Sequence, residues 1–252
     1  MEKPLFDLLV GVWISVAIIV FIILLFVTAP LGRHSKRTWG PTIPDRLGWF
    51  LMEIPAPLIF FLLVLTGSAP KTLTVWIITG LYLAHYTNRA IIYPLRIRTT
   101  GKEMPLAVVL MAVFFNFTNA GFLGYYTGTL QSMYTTDWLT DPRFIAGLAV
   151  FVAGMVINVS SDEKLIHLRK KRNNGYQIPH GGLFESVSCP NFLGEIVEWG
   201  GYALLCWSLP AFSFFVWTFC NLVPRALDHH KWYKKRFAGY PGDRKAIFPF
   251  IL

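Results

Sequence analysis

Several ionisable side chains interrupt the long apolar runs of this sequence. Glu53 lies inside the apolar run Trp49–Pro55, and a later run ends with His85, Tyr86 and Arg89. At membrane depth a charged group costs about 2.5–3.5 kcal/mol on insertion scales, so it normally has a partner or a function. An acid, a phenol and a base in a site that excludes water could donate hydrogen bonds and hold protons.

Amide and carboxyl groups also occur in the later apolar runs. The fourth run contains Asn116 and Asn119, the fifth ends near Asn158, and the sixth opens with Glu195 and Glu198. The two glutamates are three residues apart and therefore share one face of a helix. Together these groups favour a polar cavity that opens to one side of the membrane.

Each of these groups also has a simpler structural interpretation. Arg89 could snorkel to the interface or pair with Glu53, and asparagines often form hydrogen bonds between helices. Glu195 and Glu198 could be solvated at a helix start, where the helix dipole favours acids. Composition and spacing alone therefore indicate a membrane protein with a buried acid–phenol–base set, and they name no reaction.

The composition explains why a membrane must position these residues. Of the 252 residues, 54% are hydrophobic and 15% are charged, and the formal net charge is +9. The apolar runs are about 20 residues long, which matches a hydrocarbon core about 30 Å thick. This pattern excludes a DNA-binding domain, a secreted disulfide scaffold and a disordered tail. The three cysteines are expected to be buried as small hydrophobic residues.

The apolar runs predict seven membrane-spanning helices. Pro210 lacks an N–H group and disfavours helix in the residue before it, so it divides the last, overlong run into two spans. The first run is longer than the hydrophobic region of a cleavable signal peptide. The predicted spans lie at about 8–29, 47–67, 73–93, 105–126 and 143–160, with two more within 192–224.

The basic residues orient these spans. Loops one, three and five and the C-terminal tail are basic, whereas loop two contains only Lys71 and loop four has no basic residue. The positive-inside rule therefore places the N-terminus outside and the C-terminus in the cytoplasm. The basic residues concerned are Arg33, Lys36, Arg37, Arg46, Arg96, Arg98, Lys102, Lys164, Arg169, Lys170, Lys171, Arg172, Arg225, Lys231, Lys234, Lys235, Arg236, Arg244 and Lys245.

The expected fold is an all-α polytopic membrane protein with seven transmembrane helices, in which residues 1–252 form a single integral-membrane domain. Its longest polar connection is loop five, at about 161–190, which contains the turn sequences Asn173-Asn174-Gly175 and Gly181-Gly182. A loop of this length often binds a ligand.

Ordered sequence blocks in the C-terminal half carry a family resemblance. They are Asn158-x-x-Ser161-Asp162, Tyr176-x-Ile178-Pro179-x-Gly181-Gly182-Leu183-Phe184, Asn191–Trp199, Trp207–Pro210, Tyr240-Pro241 and Arg244–Ala246. Together with Trp49–Pro55 upstream, these blocks closely resemble the steroid 5α-reductase family, and within it the type 2 enzymes. The resemblance implies NADPH-dependent reduction of the 4,5 double bond of a 3-oxo-Δ4-steroid, inside a seven-helix bundle without a Rossmann domain.

The resemblance also implies a cofactor side, mainly on helices four to seven, and a substrate side, mainly on helices one to four. Lys102 stands where the family has an arginine, so it offers a phosphate a point charge in place of a bidentate fork. The positions that match the family's cofactor contacts are Lys102, Asn158, Asp162, Arg169, Tyr176, Asn191, Glu195, Arg225, His229 and Tyr233.

Glu53 and Tyr86 match the family's substrate-side pair. Hydride addition at C5 develops enolate charge on the C3 carbonyl oxygen, so donors aimed at that oxygen stabilise the transition state more than the ground state. Glu53 is expected to keep its proton in a dry site and to donate to this oxygen, with Tyr86 as the second donor. Trp49, Leu51 and Phe115 are expected to form apolar walls for a flat steroid.

Three further positions depart from the family pattern. Met52 stands where relatives commonly have glutamine, Met111 where a basic residue is expected, and Gln177 where the family has arginine. These departures leave the substrate preference open. One alternative is a reductase of another activated alkene, such as an enoyl thioester or a polyprenal. Another is a non-enzymatic sterol- or lipid-binding membrane protein, or a transporter.

The expected partners are a steroid or another lipophilic enone and the lipid bilayer. Nucleic acid and metal are not expected as partners, and the chain is expected to be monomeric. The expected location is the endoplasmic reticulum membrane in a eukaryote or the inner membrane in a bacterium, with the cofactor site facing the cytoplasm.

Overall fold

The apolar runs fold into α-helices. The computed structural model describes residues 1–30, 39–97, 101–171 and 176–252. Within these ranges the helices are α1 (Lys3–Phe26), α2 (Asp45–Glu53), α3 (Pro55–Thr66), α4 (Leu73–Tyr86), α5 (Tyr93–Arg96), α6 (Leu106–Tyr125), α7 (Pro142–Lys171), α8 (Pro190–Cys206) and α9 (Leu209–Arg236). The predicted charges at Arg33, Lys36, Arg37, Arg98 and Arg172 and the turn at Asn173-Asn174-Gly175 lie outside the described residues.

Shorter elements connect or extend these helices. The π-helix Thr87–Ile92 joins α4 to α5, and the π-helix Tyr126–Leu130 extends α6. The 3-10 helices are Thr136–Thr140 and Gly182–Glu185. Strands β1 (Thr42–Pro44) and β2 (Glu103–Pro105) pair antiparallel.

The described helices group into seven continuous segments, because only Ile54 separates α2 from α3 and a π-helix joins α4 to α5. Four of these segments are long and apolar enough to cross a membrane: Lys3–Phe26, Asp45–Thr66, Leu106–Leu130 and Pro142–Arg169. The chain is therefore an integral membrane protein with several apolar helices.

The predicted break before Pro210 is confirmed. Trp207 ends α8 in the left-handed conformation (φ 43°), and Ser208 is extended before α9 begins at Leu209. The predicted boundary of loop five was wrong, because α7 continues to Lys171. A helix satisfies its own backbone hydrogen bonds and can continue with polar side chains beyond the apolar layer, so hydropathy alone does not mark its end.

The chain divides into two compact units. Unit 1 comprises Met1–Val10 and Pro30–Ile145, and unit 2 comprises Gly11–Ala29 and Ala146–Leu252. In unit 1, helix α3 packs along α6, and the ring of Phe60 stacks on that of Tyr82 with centroids 4.1 Å apart.

In unit 2, glycines let the backbones of α7 and α8 approach each other closely. A Cβ atom on Gly154 would lie 2.2 Å from the Glu198 nitrogen, and one on Gly194 would lie 2.4 Å from the Asn158 nitrogen. Such small residues allow membrane helices to pack by direct backbone contact. This contact places Asn158 of α7 beside the first turns of α8.

We expect Gly201→Ala to destabilise unit 2, whereas the neighbouring Gly200→Ala should not. A Cβ on Gly201 would lie 2.3 Å from the backbone nitrogen of Phe151, while one on Gly200 would lie 3.3 Å from the movable Phe215 ring. Overpacking of this kind costs about 1–3 kcal/mol, and alanine is otherwise the better helix former by up to about 1 kcal/mol. Thermal unfolding in detergent measures both variants, and equal midpoints would contradict the close α7–α8 contact.

Candidate active site

Glu53 is the last residue of α2, and Pro55 begins α3 two residues later. The proline has no N–H group with which to continue the α2 hydrogen-bond ladder, so one helix ends and the next begins at this point. The carboxyl group is therefore held at a helix junction inside the apolar segment Asp45–Thr66.

Asn116 of α6 connects the predicted catalytic pair. Its Nδ2 donates to the backbone oxygen of Met52 (2.6 Å) and contacts Oε2 of Glu53 (3.4 Å). The Tyr86 hydroxyl donates to Oδ1 of Asn116 (3.4 Å). Tyr86 and Asn116 are 3% and 4% exposed and are therefore shielded from water, whereas Glu53 is half-buried. The structure thus brings Glu53 and Tyr86 around one buried amide.

Aromatic packing holds Tyr86 at the end of α4. The ring centroids of Tyr82 and His85 lie 4.7 and 5.1 Å from that of Tyr86. The π-helix Thr87–Ile92 starts directly after Tyr86 and carries Arg89. This switch in helix type accompanies functional sites in many proteins.

The guanidinium of Arg89 lies over aromatic rings. It is 5.0 Å from the centroid of Trp49 and 5.2 Å from that of Tyr93.

The residues predicted to form apolar walls differ in burial. Trp49 and Phe115 are half-buried, whereas Leu51 is 38% exposed. Trp49 therefore has a cationic neighbour as well as a possible wall function.

A second polar cluster lies in unit 2, where α7 meets the start of α8. Asn158 donates through Nδ2 to the backbone oxygen of Asn191 (2.9 Å) and contacts Oε2 of Glu195 (3.4 Å). Asn191 in turn donates through Nδ2 to Oδ1 of Asp162 (2.9 Å). Asn158 and Asp162 are buried and share one face of α7, four residues apart. We call Asn158, Asp162, Asn191 and Glu195 the α7–α8 cluster.

Cationic and aromatic side chains form further contacts in unit 2. The Arg225 guanidinium lies 5.2 Å from the Phe192 ring centroid, and Phe192 lies 5.6 Å from the ring of His229. The Arg169 guanidinium lies 6.0 Å from the ring of Tyr176.

Tyr176 and Tyr233 each pack against a second aromatic ring. Tyr176 meets Trp232 with centroids 5.0 Å apart, and the buried Tyr233 stacks on Tyr240 at 5.3 Å. Nine of the ten predicted cofactor residues thus lie in unit 2, while Lys102 lies in unit 1.

The segment that follows α9 anchors loop five, which the sequence patterns did not predict. Arg244 has a fully buried side chain that donates to the oxygen of Pro179 (2.9 Å) and to Oε2 of Glu185 (3.0 Å). The backbone N–H of Gly181 and the Arg244 guanidinium lower the pKa of Glu185. The Ser188 hydroxyl contacts the Tyr240 hydroxyl at 2.6 Å. Residues that lie about 60 positions later in the chain therefore hold loop five in place. Hydrophobic periodicity carries no signal for a contact between such distant residues.

We expect Arg244→Met to weaken the contacts between loop five and the segment that follows α9. The Ser188 N–H donates to the Lys245 oxygen (2.8 Å), and the Lys245 N–H donates to the Ser186 oxygen (2.9 Å). A hydrogen bond to a charged group contributes about 1.5–3 kcal/mol, so these amides should exchange at least about tenfold faster in hydrogen–deuterium exchange. The exposed Arg236→Met is the control. Unchanged exchange at Ser188 would show that Arg244 does not hold the loop.

The described residues contain no group of three or more His, Cys, Asp or Glu side chains that could hold a metal ion. All three cysteines are buried and free. The chemistry of the candidate site therefore has to be argued from its acids, amides, phenols and guanidinium groups.

These features define the class of protein as a helical integral-membrane enzyme, and the sequence comparisons define the family. Residues 102–252 match the family described as 3-oxo-5-alpha-steroid 4-dehydrogenase. The chain is 43% identical to "Steroid 5-alpha-reductase DET2" of Gossypium hirsutum, over 94% of this chain and 93% of that protein. It is 39% identical to "3-oxo-5-alpha-steroid 4-dehydrogenase 1" of Bos taurus, over 100% and 98%. The chain therefore belongs to the 3-oxo-5-alpha-steroid 4-dehydrogenase, or steroid 5α-reductase, family.

The expected affiliation to the type 2 enzymes was wrong. Relatives at this level of identity include plant and type 1 proteins, among them the Homo sapiens 3-oxo-5-alpha-steroid 4-dehydrogenase 1, which is 41% identical over 88% of this chain and 85% of that protein.

Proposed function

We propose that this chain reduces the 4,5 double bond of 3-oxo-Δ4-steroids with NADPH. The observation that carries the proposal is the convergence of Glu53 and Tyr86 on the buried amide of Asn116 in a member of this family. When bound, NADPH supplies the hydride that adds to C5 of the steroid. A proton adds to C4, so the C4–C5 double bond is reduced to a single bond.

Glu53 and Tyr86 perform the polarisation in this proposal. In this proposal both donate a hydrogen bond to the C3 carbonyl oxygen, where negative charge develops as the hydride reaches C5. A protonated carboxyl and a phenol can each make one such donation. The burial of Tyr86 and Asn116 lowers the local dielectric constant, which strengthens hydrogen bonds formed beside them.

The side chains of unit 2 fit a dinucleotide phosphate. The α7–α8 cluster supplies buried amide donors and carboxylate acceptors, which suit ribose hydroxyls and a carboxamide. Arg225 and Arg169 lie beside aromatic rings and present cationic, planar groups that suit phosphate. In this proposal His229, Tyr176 and Tyr233 complete the cofactor contacts. Lys102 contributes a point charge to a phosphate.

The departures from the family pattern modify this proposal locally. The side chain of Met52 packs against Met104, Val108 and Val109, and this apolar side chain makes no hydrogen bond to Glu53. Met111 is 53% exposed on α6, and Gln177 contacts the Leu168 oxygen at 3.5 Å. We propose that substrate preference and NADPH contacts differ from those of relatives at these positions.

The proposed topology has seven transmembrane helices in a single integral-membrane domain, with the N-terminus outside and the C-terminus in the cytoplasm. The alternation of basic and non-basic loops supports it. The cofactor enters from the cytoplasmic side, and the enzyme acts as a monomer in the endoplasmic reticulum membrane of a eukaryote or the inner membrane of a bacterium.

The test is purification in detergent, followed by a search for bound NADP(H) by mass spectrometry and an assay with progesterone or testosterone and NADPH. We expect bound nucleotide and a 5α-reduced product. If no nucleotide copurified and none could be titrated in, the reductase proposal would be rejected. Conversion of an enoyl thioester or a polyprenal, but of no steroid, would replace the substrate and retain the reaction type.

A further inference from the structure

We infer that Asn116 is a positioning residue, which directs Glu53 and Tyr86 towards the same substrate oxygen. The inference rests on the proposed function, because it concerns how the two proposed donors are oriented. It goes beyond the family's catalytic pair, since Asn116 lies on a different helix from both members and makes a contact with each.

The orientation of the Asn116 amide is fixed by its shortest contact. The backbone oxygen of Met52 can only accept a hydrogen bond, so the group 2.6 Å from it must be the Nδ2 donor. The oxygen of the amide then points to Tyr86 and accepts from its hydroxyl. This rigid planar group therefore contributes to the direction of the phenol.

The same orientation assigns the two oxygens of the Glu53 carboxyl. Oε2 faces the amide N–H of Asn116 at 3.4 Å and is an acceptor there. In the neutral carboxyl the proton consequently belongs on the other oxygen, Oε1. Asn116 thereby leaves Oε1 as the donor for the substrate carbonyl.

The shortest contact of the Asn116 amide is its bond to Met52. This bond measures 2.6 Å, whereas the contacts of Asn116 to Glu53 and Tyr86 both measure 3.4 Å, at the long end of hydrogen-bond distances. The Met52 backbone therefore holds the amide, and the held amide is the fixed point from which both donors are directed.

Asn116 is the source of an amide beside Glu53 in this chain. The side chain of Met52 is packed into an apolar cluster with Met104 and Val108 and offers the acid no polar group. The buried amide of α6 supplies a hydrogen-bonding group next to the acid from the opposite helix instead. This arrangement explains why a polar residue is tolerated in the apolar segment Leu106–Leu130.

The test compares Asn116→Leu with Asn119→Leu in steroid turnover. We expect Asn116→Leu to lower kcat about 10- to 100-fold, as misplaced catalytic groups do, with the KM for NADPH unchanged. Asn119 lies one turn further along α6, is equally buried, and its Nδ2 has no hydrogen-bond partner within the described part of the chain. Its substitution should change kcat by less than about threefold, because its amide N–H makes no hydrogen bond to the proposed donors that could be lost.

A double-mutant cycle separates positioning from a structural effect. If Asn116 acts through Glu53 and Tyr86, then Asn116→Leu should lower kcat by a smaller factor in Tyr86→Phe than in the wild type, because the share of its effect that passes through Tyr86 is already lost and groups that act as a unit are non-additive. Full additivity, or a wild-type kcat in Asn116→Leu, would overturn the inference. Asn116→Asp keeps an acceptor for Tyr86 but loses the N–H donor, and it serves if the leucine variant does not fold.

The cycle also separates this inference from the proposed function. Wild-type enzyme without any activity on a 3-oxo-Δ4-steroid would reject the proposed function, and the positioning role with it. Active wild type together with an equally active Asn116→Leu variant would reject only the positioning role.

Discussion

Tyr86→Phe is expected to lower kcat for a 3-oxo-Δ4-steroid by about 100- to 1,000-fold, the usual effect of removing one donor from an oxyanion site. The hydroxyl is the only part of Tyr86 that is lost, and the ring keeps its contacts with Tyr82 and His85. Because the hydroxyl would act on charge that develops only in the transition state, kcat should fall while the KM for steroid changes little.

Glu53 variants test the other half of the same pair. Glu53→Gln retains a hydrogen-bond donor of similar shape, whereas Glu53→Leu retains none. We therefore expect the leucine variant to lose activity to the same extent as Tyr86→Phe, and the glutamine variant to lose less. Unchanged turnover in Glu53→Gln and Glu53→Leu would remove the carboxyl from the mechanism.

The matched control for the phenol is Tyr125→Phe. Tyr125 lies on the same helix as Asn116, nine residues further along, and its hydroxyl accepts from the amino terminus of Met1 at 2.8 Å. Nine residues correspond to about 13 Å along a helix. A loss of kcat in Tyr125→Phe as large as in Tyr86→Phe would point to a general sensitivity of unit 1 and would contradict a special function of Tyr86.

The positions of the helices could be predicted from the sequence because hydrophobic length is a strong signal. The runs near 47–67 and 105–126 correspond closely to Asp45–Thr66 and Leu106–Leu130. The break before Pro210 followed from the chemistry of proline alone. The ends of α7 and α9 could not be predicted, because their last turns are polar and the hydropathy signal stops before the helix does.

The candidate site was predictable as a set of residues but not as a geometry. Glu53, Tyr86 and Asn116 were each evident as polar groups in apolar runs, and the expectation of an interhelical hydrogen bond for Asn116 is confirmed by its bond to Met52. The connection of all three through one amide depends on side-chain directions that no periodicity encodes. Arg244 was missed as an anchor because its partners Pro179 and Glu185 lie about 60 residues away.

Asp162→Ala is expected to raise the KM for NADPH about 10- to 100-fold. The substitution removes a buried carboxylate and leaves the Asn191 amide without the acceptor that it now has at 2.9 Å. In the proposed function the Asp162 carboxylate accepts a hydrogen bond from the cofactor, and a hydrogen bond to a charged group contributes about 1.5–3 kcal/mol, which corresponds to a change in affinity of this order. Binding is measured by NADPH titration, and Asp243→Ala, on an exposed residue, is the control.

Read together, the two substitutions distinguish the functions of the two polar clusters. Asp162→Ala should change the KM for NADPH and leave the kcat at saturating cofactor within about threefold of wild type, whereas Tyr86→Phe should do the reverse. Such a crossed pattern follows only if the α7–α8 cluster binds the cofactor and the Glu53–Asn116–Tyr86 set stabilises the transition state. If Asp162→Ala lowered kcat and left NADPH affinity unchanged, the α7–α8 cluster would belong to the chemical step, and the cofactor contacts would have to be sought around Arg225 and Tyr176.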